Sequence, residues 1–237
     1  MPSDIDRPAV QAVVVDFDGT ICPQDVSEEI LRAFADPSWW EIDLRFQRGE
    51  IGSRECLTRQ ARLLEGSTED MLAFALERHR VEPTFGPFVS WAHDVGMEVA
   101  VASDGFGFYI EPMLRAAGIG GMPLHLNRMD ELTRGLSFPA AHPVCVGCGV
   151  CKMQVVRGYR ERLGQVAFVG EGHTDRYGAL YADLVFAKKH LATICVSDGV
   201  RYLSWNTFDD VRTGLEMVDE PPGPVAPDVC PGWTVPS

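Results

Sequence analysis

Asp16 and Asp18 stand two positions apart after a Val-rich apolar run, in the sequence Asp-Phe-Asp-Gly-Thr at 16–20. Carboxylates at the end of a buried strand are costly unless they bind a cation or share a proton. One of the two could attack as a nucleophile while the other moves protons, and a metal ion would neutralise the excess charge. An ordinary Asx-Gly turn would have the same sequence, so the motif alone does not decide between them.

Three further polar groups each follow a candidate strand or open a candidate helix. The run Ser103-Asp104-Gly105 offers a hydroxyl and loop amides, which can hold a phosphate in front of a helix. Lys152 stands at the start of a predicted helix, where a lysine is usually a solvated charge. Residues 170–175 read Gly-Glu-Gly-His-Thr-Asp. Each signal is weak alone, but the four together, in this order, are specific.

The elements that must position these residues alternate along the chain. Short apolar runs predict buried strands at 9–15, 98–102, 165–169, 183–187 and 193–196. Helical stretches at 85–95, 106–117, 151–163 and 175–181 separate them. This alternation predicts an α/β fold with a parallel sheet. Ligands of such sheets bind beyond the carboxyl ends of the strands, so the polar loops are expected to converge on one edge.

The stretch from 24 to 80 interrupts the alternation and predicts helices only. Asp25, Asp36-Pro37, Ser53 and Ser67 are candidate helix starts. We expect a core of residues 1–22 and 82–219, an all-helical insert of residues 23–81, and a tail of residues 220–237. The segment 124–138 is ambiguous and could form a small hairpin. The tail is rich in Pro and Gly, which favours an extended strap or partial disorder.

Composition limits the possible functions. The chain has 237 residues and a formal net charge of -13, which disfavours broad nucleic-acid binding. It contains no apolar run of about 18 residues, so no membrane span is expected. The N-terminus is polar and acidic, unlike a signal peptide, so we expect a cytoplasmic protein. The sequence leaves open whether the protein is a monomer or a homodimer.

The seven cysteines include three that are evenly spaced. His142, Cys145, Cys148 and Cys151 could form a tetrahedral zinc site. Three reduced thiols packed near Lys152 are the favoured interpretation, and we expect no stoichiometric zinc. Cys22, Cys56 and Cys195 lie in apolar or helical contexts, which favours reduced thiols.

Four side chains of the insert and one of the last motif also allow two interpretations each. Trp39 and Trp40 could close over a substrate, although helix packing is favoured. Arg45 and Arg48 could bind a second anionic group or lie on an exposed helix face. His173 is more readily a hydrogen-bonding loop residue than a metal ligand.

The four motifs together resemble the haloacid dehalogenase superfamily. Residues 10 to about 212 resemble its phosphoserine-phosphatase-like branch, and most of all the methionine-salvage 2-hydroxy-3-keto-5-methylthiopentenyl-1-phosphate phosphatases. Local features that carry the resemblance are the run Cys-Gly-Val-Cys-Lys at 148–152 and the segments 39–40, 49–51, 181–188 and 206–211. The resemblance implies a Rossmann-like core, a helical cap at 23–81 and hydrolysis of a small phosphorylated metabolite.

The same resemblance implies roles for the motif residues. Asp16 would attack phosphorus and form a phosphoaspartate, and Asp18 would protonate the leaving alkoxide and then activate water. Ser103, Lys152 and the amides of Asp104 and Gly105 would hold the phosphoryl oxygens. These roles suit phosphoryl transfer, which needs in-line placement and charge neutralisation.

The resemblance also implies a Mg²⁺ cofactor. The ion would be held by the Asp16 carboxylate, the Asp18 backbone carbonyl and the fourth motif. Glu171 replaces the usual Asp of that motif, so we expect Asp175 to contribute and metal affinity or turnover to be lowered. The alternative function is a non-catalytic metabolite-binding or scaffold protein on the same fold.

Overall fold

The computed structural model describes residues 8–234. The polar N-terminus at 1–7 and the last tail residues, 235–237, lie outside the described residues. Within the described chain the strands are β1 Ala12–Val15, β2 Glu98–Phe106, β3 Leu124–Met129, β4 Leu136–Ser137, β5 Val166–Gly170, β6 Leu184–Ala187 and β7 Leu203–Ser204. They form a seven-stranded sheet of order β4-β3-β2-β1-β5-β6-β7 over residues 8–234. All neighbouring strands are parallel except β3 and β4, so the predicted α/β class is confirmed.

The helices of the described chain cover both faces of this sheet. They are α1 Val26–Phe34, α2 Trp39–Gln47, α3 Ser53–Ala61, α4 Thr68–Arg78, α5 Phe85–Asp94, α6 Gly107–Ala116, α7 Lys152–Leu163, α8 Arg176–Ala179, α9 Lys189–Asp198 and α10 Phe208–Met217. A short 3-10 turn, Pro231–Thr234, follows. The central strand β1 divides the core by alternation, since Val13 and Val15 pack on one face and Ala12 and Val14 on the other.

The four helices α1–α4 follow β1, where the sequence predicts a helical insert. Asp25 caps α1 by accepting the Glu28 amide at 2.8 Å, and Ser67 with Asp70 forms a capping box on α4. Two predicted starts are shifted. Helix α2 begins at Trp39 rather than at Pro37, and Ser53 is the first residue of α3 rather than its cap.

Three predicted segments differ from the structure or are resolved by it. Residues 193–196, predicted as a strand, lie inside α9, because Leu191 and Cys195 are spaced four apart and bury one helix face while Val196 is exposed. Ser103-Asp104-Gly105, predicted as a loop, belongs to β2, whose register shifts between Ser103 and Phe106. The candidate hairpin at 124–138 forms as β3 and β4.

The described part of the tail runs as an extended strap along the core. The Gly223 amide donates to the Asp183 carbonyl at 3.1 Å, and the Ala226 amide donates to Leu180 at 2.8 Å. The Tyr181 hydroxyl donates to the Pro227 carbonyl at 3.0 Å. The strap carries Cys230 to a buried position. Among residues 8–234, no helix is long and apolar enough to cross a membrane.

Candidate active site

A cavity of about 560 Å³ lies at the carboxyl ends of β1, β2 and β5. The helices α1, α2 and α3 form its opposite wall. The predicted catalytic, phosphate-binding and metal-binding residues that line it are Asp16, Asp18, Ser103, Asp104, Gly105 and Glu171. Lys152 and Asp175 lie buried behind the cavity, and Lys152 contacts both Asp16 and Asp175.

Lys152 joins two of the predicted carboxylates. Its Nζ donates to Asp16 Oδ1 at 2.8 Å and to Asp175 Oδ1 at 2.6 Å, and Thr174 Oγ1 lies at 3.3 Å. Burial opposes the charge of Lys152, but Asp16 and Asp175 outweigh burial and raise the pKa of the ammonium group. Burial and the charge of Asp175 raise the pKa of Asp16 despite Lys152. The site therefore holds more negative charge than this lysine neutralises.

Both carboxylate oxygens of Asp175 accept hydrogen bonds from other groups of the protein. Its Oδ1 accepts from Lys152, and its Oδ2 accepts the amides of Glu171 and Gly172, each at 2.8 Å. Its side chain is fully buried and does not line the cavity. Asp175 is therefore placed to fix Lys152 and the loop after β5 rather than to face a ligand.

Asp18 is held by two donors from different elements. Its Oδ1 accepts the amide of Val26, the first residue of α1, at 2.9 Å. Its Oδ2 accepts the hydroxyl of Tyr109, a buried residue of α6, at 2.6 Å. Burial, followed by the charge of Asp25, raises the pKa of Asp18 well above its usual range, although Tyr109 lowers it. A carboxyl that favours its protonated form suits a general acid.

The run at 103–105 packs closely against Asp18. Ser103 is buried, and its Oγ accepts the Gly105 amide at 3.1 Å. A Cβ at Gly105 would lie 2.2 Å from the Tyr109 hydroxyl and 2.7 Å from Asp18 Oδ2, so only glycine fits. Asp104 Oδ1 accepts the Val150 amide at 2.6 Å, which ties β2 to the segment leading into Lys152.

Glu171 faces the cavity, unlike Asp175. A Cβ on Gly19, which has a φ of 73°, would lie 2.1 Å from Glu171 Oε1, so the carboxylate rests on the turn after Asp18. Its Oε2 forms an ion pair with Lys189. The carboxylates of Asp16 and Glu171 and the backbone carbonyl of Asp18 are oxygen ligands of the kind that Mg²⁺ prefers. The excess negative charge around Asp16 also favours a cation. Among residues 8–234, no three acidic, histidine or cysteine side chains already form a ready-made metal site.

The family follows from the sequence match. Residues 13–179 match the model of the haloacid dehalogenase-like hydrolases. The chain belongs to this family. A 2-hydroxy-3-keto-5-methylthiopentenyl-1-phosphate phosphatase of Brevibacillus brevis is 30% identical over 86% of this chain and 95% of that protein. A protein of the same name from Bacillus velezensis is 28% identical over 88% of this chain and 91% of its own length.

Solved structures agree with the family. A phosphoserine phosphatase with a phospho-aspartyl intermediate analogue superposes with a TM-score of 0.67 at 19% identity, covering 89% of this chain and 99% of that chain. A substrate-bound phosphoserine phosphatase gives a TM-score of 0.68 at 18% identity, with the same coverages. These likenesses show the fold. The predicted family and enzyme class, a haloacid dehalogenase-like phosphatase, are confirmed.

The remaining candidates of the insert divide between the cavity and the surface. Trp39 is buried and lines the cavity, while Trp40 is 44% exposed. Arg45 and Arg48 both pair with Glu50 and do not line the cavity, so the exposed-face interpretation fits them. His173 lines the cavity from the core and stacks on His190, with ring centroids 4.9 Å apart.

The cysteine-rich segment at 145–151 contacts the insert. Arg54 of α3 donates to the carbonyl of Cys148 at 3.1 Å and to that of Cys145 at 3.3 Å. All seven cysteines are free thiols. A Cβ on Gly147 would lie 3.2 Å from the Gly232 carbonyl oxygen, so the tail packs closely on this segment. Cys230, two residues before Gly232, therefore lies in the same region. The segment therefore joins α3, the tail and the start of α7.

Sequence reasoning missed several residues that line or support the cavity. Tyr109 of α6 reaches Asp18, and the hydroxyl of Ser27 in α1 lies 3.0 Å from the Tyr109 hydroxyl. Asp43 and Gln60 enter from α2 and α3. Nothing local marks these residues, because their positions depend on how the helices pack. Asp25 and Ser53 do carry a local signal, but that signal predicts helix starts and not cavity residues.

Proposed function

We propose that this chain is a Mg²⁺-dependent phosphatase that hydrolyses a small phosphorylated metabolite through a phosphoaspartate. The observation that carries the proposal is the placement of two carboxyls in one cavity. Asp16 contacts the buried ammonium group of Lys152. Asp18, two positions on, is held separately by Val26 and Tyr109.

The proposed chemistry divides the work among the chain's own residues. Asp16 attacks phosphorus in line with the leaving oxygen. Asp18 gives its proton to the leaving alkoxide and then takes a proton from the attacking water. Lys152, Ser103 and the amides of Asp104 and Gly105 hold the phosphoryl oxygens. Asp175 keeps Lys152 and the loop after β5 in position.

A Mg²⁺ ion would be held by the Asp16 carboxylate, the Asp18 backbone carbonyl and Glu171, and would neutralise charge on the phosphoryl group. The sequence predicts that Asp175 shares this role. Its two oxygens are occupied by Lys152 and by two amides, so we assign it to positioning instead.

The names of the relatives supply the first substrate candidate. Relatives at 28–30% identity are named for 2-hydroxy-3-keto-5-methylthiopentenyl-1-phosphate, so this methionine-salvage ester is tested first. A phosphorylated sugar, amino acid or specialised metabolite is the alternative. The helices at 23–81 would serve as the cap that contacts the leaving group, on a core of residues 1–22 and 82–219 with a tail at 220–237. A cytoplasmic location stays a prediction, supported by the free thiols.

Phosphate release tests the proposal directly. The chain should hydrolyse p-nitrophenyl phosphate with added Mg²⁺ and lose that activity with a chelator. A panel of phosphorylated metabolites, led by the methionine-salvage ester, then identifies the substrate. Binding of a panel member without any phosphate release would favour the non-catalytic alternative.

A further inference from the structure

The wall of the cavity that faces the phosphate site carries unbalanced negative charge. Asp25, which caps α1, and Asp43 of α2 both line the cavity. Among residues 8–234, neither of these two carboxylates forms an ion pair with a lysine or arginine. The adjacent Glu28 does have such a partner in Arg32.

Within residues 8–234, no unpaired lysine or arginine lines the cavity to offset these carboxylates. Lys189 is the one lysine or arginine that lines the cavity in the described chain, and it pairs with Glu171. The two imidazoles that line the cavity, His173 and His190, stack on each other with ring centroids 4.9 Å apart. A second anionic group on a bound ester would therefore meet carboxylates and no unpaired lysine or arginine of the described chain.

A buried amide on the same wall indicates what the leaving group does carry. Gln60 of α3 is 5% exposed and lines the cavity, and its Nε2 completes no hydrogen bond. The amide lies close enough to Asp43 to lower the pKa of that carboxyl, which burial raises overall. A buried N–H donor without a completed bond is costly, and a neutral hydroxyl or carbonyl oxygen of a ligand would satisfy it.

We infer that this cavity selects phosphate monoesters whose alcohol carries no second negative charge, and that Asp25 and Asp43 exclude anionic alcohols while Gln60 binds a neutral oxygen. The inference rests on the proposed phosphatase function. Apolar side chains, including Leu31, Trp39 and Phe46, line the rest of this wall and would contact the uncharged remainder of the alcohol. Repulsion inside a cavity is screened less than on a surface, so one like charge should lower kcat/KM about tenfold.

Three esters of similar size test the inference on the wild-type protein at about pH 8, where imidazoles are neutral. We expect glycerol 1-phosphate, with a neutral alcohol, and phosphoethanolamine, with a cationic one, to exceed 3-phosphoglycerate in kcat/KM by at least about tenfold. Added salt should narrow this gap. If 3-phosphoglycerate is hydrolysed within twofold of glycerol 1-phosphate, the inference is wrong.

An Asp43→Asn variant tests the wall itself, since Asn keeps an oxygen that can accept from Gln47, as Asp43 Oδ2 does now. The ratio of kcat/KM for 3-phosphoglycerate to that for glycerol 1-phosphate should rise about tenfold. Glu41→Gln, on the same helix but exposed and outside the cavity, should leave the ratio unchanged. An equal ratio in Asp43→Asn and wild type would overturn the role of Asp43. If the wild-type protein releases no phosphate from any of these esters or from p-nitrophenyl phosphate, the proposed function on which the inference rests is wrong.

Discussion

Lys152 is the residue on which the site depends, because it is only 1% exposed and its charge is stabilised by Asp16 and Asp175. A buried ammonium group is tolerated only when its partners remain in place. Two carboxylates around one lysine leave net negative charge, which either a proton or a cation must offset. The negative charge that remains on these carboxylates is what a nucleophile and a metal ligand both require.

Asp16→Asn removes the proposed nucleophile while keeping its shape. We expect turnover to fall by at least about 100-fold with the fold intact, because an amide cannot form the phosphoaspartate. Phosphate release, circular dichroism and a mass check for deamidation measure this. Retention of more than a few per cent of activity in undeamidated protein would contradict the covalent mechanism.

Tyr109→Phe removes one of the two donors that hold Asp18. Turnover of an alkyl phosphate should fall about tenfold, and turnover of p-nitrophenyl phosphate much less, since nitrophenolate leaves without a proton. Asp18→Asn should show the same split with larger losses. Tyr159→Phe is the matched control, because its hydroxyl lies 3.1 Å from His125, outside the cavity. Equal losses on both substrates would mean that Tyr109 does not act through the acid.

Glu171→Gln keeps the shape of the side chain that rests on Gly19 but removes its charge. We expect the Mg²⁺ concentration for half-maximal activity to rise at least several-fold, and the Mg²⁺-induced rise in Tm to shrink. Glu171→Asp should keep activity if the loop tolerates the shorter reach. An unchanged Mg²⁺ titration for Glu171→Gln would remove this residue from the proposed metal site.

The residues that end strands were predictable, and the residues that support them were not. Asp16 and Lys152 follow from a strand end and a helix start, which the local sequence encodes. Tyr109 reaches Asp18 across 91 positions of sequence, through a gap that the absence of a side chain at Gly105 leaves open. No local pattern encodes such a contact. The orientation of Asp175 toward Lys152 instead of a metal likewise depends on packing.

At the scale of elements, the N-terminus of α3 is held by the cysteine-rich segment. The Arg54 amide donates to the Gly147 carbonyl at 3.2 Å, and the Gly149 amide donates to Ser53 Oγ at 3.1 Å. The same segment leads into Lys152 at the start of α7. The helix that carries Gln60 and the lysine of the site are therefore positioned by one stretch of backbone.

Gly52→Ala should disrupt this contact. A Cβ at Gly52 would lie 2.3 Å from the Gly147 carbonyl oxygen, so backbone must move to admit it. We expect the free energy of unfolding to fall by about 1–3 kcal/mol. Gly158→Ala, inside α7 with nothing within 4 Å, is the control and should be neutral or stabilising by up to about 1 kcal/mol. Urea denaturation of both variants measures this, and equal stabilities would show that the contact is loose.

Elements were predictable where burial imposes a simple period. Strand β1 is buried on both faces and reads as a continuous apolar run. The segment 193–196 is also rich in apolar and β-branched residues but lies in α9, because the spacing of Leu191 and Cys195 buries one helix face against the core. Short apolar runs do not distinguish a strand from a helix. The two-residue strand β7 was not predicted, because both of its residues are exposed and burial therefore imposes no pattern on them.

At the scale of the whole molecule, the distribution of charge agrees with the proposed selection of substrates. The net charge of -13 repels anions in general, and in the proposed phosphate site Lys152 and backbone amides, together with the proposed cation, would offset this repulsion locally. The cavity wall on α1 and α2 adds carboxylates instead of cations. A monoester with a single anionic group is the ligand that such a distribution admits.

The tail at 220–234 connects parts of the molecule that are far apart in sequence. Its backbone bonds to Leu180 and Asp183, and it brings Cys230 beside the cysteine-rich segment. None of its residues lines the active-site cavity. Composition predicted an extended strap or partial disorder, and the described part is the strap. Pro-rich sequence fixes extended backbone, but it does not reveal which surface that backbone will cover.

Truncation after residue 219 should therefore affect stability and thiol exposure more than catalysis. Loss of about three hydrogen bonds and of the buried Cys230, partly offset by chain entropy, should lower the free energy of unfolding by about 1–3 kcal/mol. In a chain of 237 residues this corresponds to a Tm lower by roughly 5 °C. Cys151, now 5% exposed, should react faster with a thiol reagent in the native protein, while kcat/KM for p-nitrophenyl phosphate stays within about twofold. Tyr181→Phe, which removes a single bond to the tail, should give a smaller shift of the same sign. An unchanged Tm together with unchanged thiol reactivity would show that the strap lies on the core without stabilising it.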